Sequence, residues 1–65
     1  MTAADLKLNS VYRRRNIDGA VTRLWYLGQE DDVLFFVPVN RRNSPCGYMI
    51  RLTESEITDF ESDEK

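Results

Sequence analysis

Apolar and polar positions sort most clearly between Val21 and Val39, VTRLWYLGQEDDVLFFVPV. Two runs rich in Val, Leu, Phe, Trp and Tyr flank a polar stretch, Gly28-Gln29-Glu30-Asp31-Asp32. Aromatic and β-branched runs bounded by Gly, Asp and Pro predict two strands, 20–27 and 33–37, joined by a five-residue loop. That loop pairs Leu27 with Val33, Tyr26 with Leu34, Trp25 with Phe35 and Leu24 with Phe36. Because side chains alternate between faces, one face carries Leu24, Tyr26, Leu34 and Phe36. The other carries Arg23, Trp25, Leu27, Val33, Phe35 and Val37. Both faces are apolar, which a sheet with one wet side does not need. An unpaired guanidinium in a core is costly, so the face without Arg23 is assigned to the interior. The second face must then be covered by the chain ends or offered to a partner.

The rest of the chain reads as shorter pieces of the same kind. Leu8-Asn9-Ser10 is a turn feeding a first strand at Val11-Tyr12, with Asn9 a residue that tolerates positive φ. Asp18-Gly19 signals a tight turn into the second strand. Pro38 suits the end of the third strand, and Asn40 to Pro45 is loop by composition. Gly47 to Leu52, GYMIRL, predicts a fourth strand with Tyr48 and Ile50 on one side and Met49 and Arg51 on the other. Thr53-Glu54-Ser55-Glu56 matches the capping box, a hydroxyl followed three residues later by an acid. It predicts a short helical turn, with Ile57 and Phe60 packing back on the sheet. Met1 to Asp5 is expected to be frayed or to form a single helical turn, and the acidic stretch 59–65 to be a disordered, solvated tail. The domain is therefore drawn at 1–58. Four to five short antiparallel strands with a C-terminal helical turn place the chain in the all-β class, as a small SH3-like barrel; an OB-type barrel usually needs more residues.

Sixty-five residues allow one core, and a chain of this size buries only about 60% of the surface its unfolded form exposes. The usual staples are missing from the sequence: Cys46 is the sole cysteine and there is no His, so neither an internal disulfide nor a zinc site can be assembled. No apolar run approaches the length of a membrane span, and a cytoplasmic location is expected by default. The net charge is −2, and residues 59–65 hold four acids and one base, leaving seven acids against eight bases in the body. A strongly basic nucleic-acid domain would look different.

The inventory for catalysis is thin. Without His the usual general base is absent, and Ser10, Ser44, Ser55 and Ser62 have no activating partner. Cys46 has no base beside it in sequence. Glu30, Asp31 and Asp32 do not have the spacing of a calcium loop, and the three glycines stand apart rather than forming a phosphate cradle. No catalytic residue, metal, cofactor or small-molecule substrate is expected.

The arginines remain. Arg13, Arg14 and Arg15 precede the first turn, and Arg41 and Arg42 lie in the long loop. The ordinary reading is solvated strand ends and ion pairs with Glu30 to Asp32 or the tail. The sharper reading is a phosphate-contacting rim beside Arg23 and Trp25, yet arginine with exposed aromatics is equally what protein interfaces favour. The expectation is a non-enzymatic interaction module that binds a protein partner, or a second copy of itself, through Arg23, Trp25 and Phe35. The alternative is a nucleic-acid-binding accessory domain using Arg13, Arg14, Arg15, Arg41 and Arg42.

The line LKLNSVYRRRNIDGAVTRLWYLGQEDDVLFFVPV runs through a polar turn, Val-Tyr, an Asp-Gly turn, a strand, an acidic turn and a Val/Leu/Phe strand. In that order it resembles the N-terminal SH3-like segment of integrase-type transposases of multi-subunit transposons, and also short prophage-encoded proteins of unknown function. The resemblance covers about half the chain. It implies an accessory module of a mobile-element protein, engaged with DNA or with a partner subunit. It does not imply catalysis, because the acidic triad of such recombinases belongs to a separate domain. The acidic tail departs from what a DNA-contacting piece would need.

Overall fold

A computed structural model describes residues 1–63. Five antiparallel strands form one open sheet in the spatial order β4-β3-β2-β1-β5. They are β1 (Val11–Arg15), β2 (Val21–Glu30), β3 (Val33–Pro38), β4 (Ile50–Leu52) and β5 (Glu61–Ser62), with 3-10 turns at Ala3–Asp5 and Glu54–Ile57. The first four strands are a meander. After β4 the chain passes through the second 3-10 turn and returns to pair its last strand with β1.

The face without Arg23 is the interior, as the alternation requires. Leu24, Tyr26, Leu34 and Phe36 are buried together with Tyr12, Leu52, Ile57 and Phe60. The Phe36 ring sits 5.3 Å from Tyr26 and 5.3 Å from Phe60, the latter edge-on, a spacing at which aromatic pairs attract beyond their buried area. Burial, and secondarily the nearby Tyr12, pushes the Tyr26 phenol above its ordinary value of 10.0.

The hairpin differs from the expected register. The turn is two residues, Asp31-Asp32, and β2 continues to Glu30, which pairs with Val33; Gln29 pairs with Leu34 and Gly28 with Phe35. A bulge at Leu27 follows, after which Tyr26 pairs with Phe36, Trp25 with Val37 and Leu24 with Pro38. Asp31 adopts φ 53, and Asp is among the few residues that enter the left-handed region readily, so a tight turn forms without glycine. Gly28, at φ 142, relieves the backbone beside the bulge. The expected pairs from Leu24 to Tyr26 are displaced by two residues, an even number, which leaves every one of those side chains on its expected face.

β4 is shorter than the sequence predicts. Ile50 pairs with Phe36, and the next facing position is Pro38, which has no N–H to continue the ladder. Gly47 packs against the Pro38 ring and the Cys46 N–H bonds the Pro38 carbonyl at 2.9 Å. Tyr48 is left 94% exposed.

The expected disordered tail is ordered through residue 63. Phe60 is buried, Tyr12 pairs with Ser62 and Arg13 with Glu61, and the Asp63 N–H bonds the Val11 carbonyl at 3.1 Å. Acidic composition predicts solvation, but burying one phenyl ring stabilises by about 1.5–3 kcal/mol, and β1 offers arginines alongside. Residues 64 and 65 of that expectation lie outside the described residues.

The two 3-10 turns use the same device. Thr2 donates from its backbone N–H and hydroxyl to Asp5 Oδ2 at 3.0 and 2.9 Å; Thr53 donates likewise to Glu56 Oε1 at 3.1 and 3.0 Å. These bonds, the backbone one first, hold both carboxyls below their ordinary values of 3.8 and 4.5. The turns are also tied to each other: the Ala3 N–H bonds Glu54 Oε2 at 2.6 Å, and the Met1 ammonium bonds the Thr58 carbonyl at 2.8 Å. Among the described residues no helix is long and apolar enough to cross a membrane.

Candidate functional site

The outer face of the sheet is where the unexplained apolar surface lies. Pairing sets its rows. Trp25 lies between Val11 on β1 and Val37 on β3; Phe35 lies between Gly28 on β2 and Arg51 on β4; Arg23 lies beside Arg13. Trp25 and Phe35 are thus on one face, as expected, but in different rows. Both are half-buried, and Leu27 and Leu8 near them are exposed. A Cβ built on Gly28 would meet Leu8 Cδ2 at 3.6 Å, which places Leu8 over this face.

Arg23 is already engaged within the chain. Its Nη1 donates to the Asn40 carbonyl at 2.9 Å, and its Nη2 donates to Asn43 Oδ1 and to Asp63 Oδ2, each at 2.5 Å. Asp63 also faces Arg13 Nε at 3.6 Å, and Arg13 Nη2 stands 3.6 Å from Glu61. Arg23 therefore clamps the 40–43 loop and the C-terminal segment onto the outer face. The loop is shaped from within: Asn40 Oδ1 accepts from the Arg42 and Ser44 N–H groups at 2.9 and 3.1 Å, and Asn43 takes φ 61.

Two small cavities lie beside the clamped segments. A cavity of about 170 Å³ is lined by Asn9, Val11, Trp25 and Asn43, and a second of about 270 Å³ by Asn9, Ser10, Val11, Asn43 and Asp63. Trp25 Nε1 is enclosed and has no hydrogen-bond partner among the described residues. An enclosed donor without an acceptor is uncommon, because its lost hydration is not replaced.

The other arginines do not form one patch. Strand alternation puts Arg13 and Arg15 on the outer face and Arg14 on the opposite one, across from Thr22 and close enough to Glu56 to help hold its carboxyl down. Arg15, Arg41 and Arg42 are exposed, and none makes an ion pair with another described residue. Cys46 is exposed and unpaired. Among the described residues no three His, Cys, Asp or Glu side chains converge as a metal site would need.

Sequence reasoning missed Asn9, Val11 and Asn43 as neighbours of Trp25, and Asp63 as a partner of Arg23. Asn9, at φ 65, was legible as a turn residue. Asn43 and Asp63 are both held by Arg23, links of 20 and 40 residues in sequence. Compared with family models, curated proteins and solved structures, the chain matches none.

Proposed function

We propose that this chain is a non-enzymatic protein-interaction module built on a small SH3-like barrel, with the outer face around Trp25 and Phe35 as its partner surface. The connectivity supports the barrel reading: a four-stranded meander, one 3-10 turn, and a final strand returning beside the first is the order SH3-like barrels use. The observation that carries the functional reading is the second apolar face itself. Interior side chains fill one side of the sheet, while Trp25 and Phe35 on the other are half-buried and Leu27 and Leu8 are exposed. Contiguous apolar area of this kind marks interaction surfaces, and half-buried aromatics are typical anchors. Arg23 contributes by holding the loop and Asp63 in place rather than as a free contact.

Phe35→Ala tests the reading, because the side chain lies on the outer face and the interior is untouched. The immobilised wild-type domain is expected to retain a protein from a lysate of its source cell that the variant, with an unchanged far-ultraviolet spectrum, does not retain. Equal retention by both removes Phe35 from the surface. The mobile-element role implied by the transposase resemblance would make that partner another subunit of such a machine; it rests on the order of turns and strands along 6–39.

A nucleic-acid reading draws on Arg15, Arg41 and Arg42, which are exposed and without ion pairs among the described residues. Against it, Arg13 and Arg23 are neutralised by Glu61 and Asp63 and Arg14 lies on the opposite face.

A further inference from the structure

We infer that Arg23 is the hub of an ionic latch, through which the 40–43 loop and the returning C-terminal strap, residues 60–63, open and close as one unit under the control of the charge on Asp63. The device belongs to the chain alone and stands apart from the partner reading.

The two segments meet on one side chain. Arg23 Nη2 donates to both Asn43 Oδ1 and Asp63 Oδ2, and Nη1 donates to the Asn40 carbonyl at 2.9 Å. A guanidinium is a rigid planar fork, so an acceptor that fixes its plane aims the remaining donors at their own partners. Ordering so long a side chain costs rotamer freedom, and here that cost falls once for three bonds. Each segment therefore makes the other's bonds easier to form, which is coupling by pre-organisation.

Little else holds either segment to the outer face. Beyond the Phe60 ring, the strap has two paired residues and one bond from the Asp63 N–H to the Val11 carbonyl. Its contacts to Arg13, from Glu61 and Asp63, are both 3.6 Å long, and the Glu61 side chain is 72% exposed. Exposed pairs of that kind contribute little. The Arg23–Asp63 pair is closer, at 2.5 Å, and its side chains are only 24% and 25% exposed, so solvent and salt screen it less. In the loop, the Asn40 N–H bonds the Ser44 carbonyl and the Asn43 N–H bonds the Asn40 carbonyl, each at 2.9 Å. Those bonds shape the loop without reaching the sheet.

Opening would uncover a defined piece of the sheet. The strap lies along the outer edge of β1, and Asn43 and Asp63 line one cavity with Val11. With the latch shut, the Val11 carbonyl is bonded and the edge at Val11–Arg13 is covered. With it open, that edge is free to take another strand.

Amide hydrogen exchange on the nitrogen-15-labelled full chain tests the coupling. Asp63→Asn keeps the side-chain shape, the backbone bond to Val11 and the Phe60 anchor. Asn43→Gly removes an acceptor of Arg23 and suits the backbone at φ 61. Asp63→Asn is expected to speed exchange of the Asn40 and Asn43 amides about threefold, a factor suited to a partly shielded ion pair. Asn43→Gly is expected to speed the Asp63 amide by a similar factor, as linkage requires. Neither should alter the Asn16 amide, which bonds the Ala20 carbonyl at 2.7 Å at the far end of β1. In an Arg23→Gln chain both cross effects should vanish; Arg23→Lys, which keeps the charge and loses the fork, replaces it if that chain does not fold. Raising potassium chloride to about 1 M should speed both segments together in the wild type. One segment loosening without the other, or cross effects that persist once the guanidinium is gone, overturns the proposal. So does a loop that tightens when Asp63 loses its charge, which would show the two acceptors competing rather than cooperating.

Discussion

Phe60→Ala is the substitution that bears hardest on how this chain holds together. Acidic composition alone would make residue 60 a surface position where a ring truncation is nearly silent, within about 0.5 kcal/mol, whereas the capped turn before it predicts that Phe60 packs back. The structure assigns it to the core: Phe60 is 4% exposed and meets Phe36 edge-on at 5.3 Å. Truncating a buried phenylalanine costs about 3–5 kcal/mol, from lost burial and the cavity left behind. For 65 residues the whole folding stability is on the order of 3–10 kcal/mol. The variant should therefore lose a large part of its stability, and β5 should detach from β1 because Phe60 is what holds the returning strand down. Urea unfolding followed by far-ultraviolet circular dichroism measures this. With a slope near 1 kcal/mol/M for so small a domain, the midpoint should fall by about 3 M or the variant should be unfolded at the outset. A midpoint shift under about 0.5 M, with the slope unchanged, would mean that the ring contributes no core packing, and the argument for an ordered C-terminal strand would fail with it.

Two further outcomes follow from local geometry. Gly28→Ala should destabilise by about 1–3 kcal/mol, the cost of a side chain held at an unfavourable φ; the new Cβ would find ordinary room near Leu8, so an unchanged urea midpoint would show that the backbone at the bulge is not strained. Glu56→Gln tests the capped turn through its pH dependence. The Glu56 carboxyl is held below its ordinary value of 4.5 by the Thr53 backbone N–H first, so its contribution is full above 4.5 and is lost as pH falls through the lower folded value. The gap in urea midpoint between wild type and Glu56→Gln should be widest near neutrality and close in acid; a gap independent of pH would remove the charge from the explanation.

What the sequence made legible was parity. Alternation along 24–26 and 34–36 assigned Leu24, Tyr26, Leu34 and Phe36 to the interior, and the capping pattern at Thr53 located the second 3-10 turn. The register was not legible, because it turns on whether a loop of Gly, Gln, Glu and two Asp closes in five residues or two, and Asp31 can adopt the left-handed backbone that the shorter turn uses. The acidic end was legible only in part: the capped turn pointed to Phe60 packing back, but average composition does not register a single anchor, so the pairing of Glu61 and Ser62 with β1 was not foreseen. On the candidate site, the sequence identified the aromatic members Trp25 and Phe35 by their shared face. It could not supply their surroundings, since Asn43 and Asp63 are brought to the outer face by a guanidinium that two distant segments share.

The extra residue at Leu27 divides β2 into two halves that obey opposite rules. Before it, even-numbered positions such as Leu24 and Tyr26 turn inward; after it, the odd-numbered Gln29 shares the side of Leu34. Removing Leu27 would bring Tyr26 and Gly28 into consecutive pairing with Phe36 and Phe35 and leave every other partner where it stands. The second strand can thus lose one residue at this point without any core side chain changing sides, whereas a loss anywhere between Val21 and Tyr26 would turn the segment preceding it inside out.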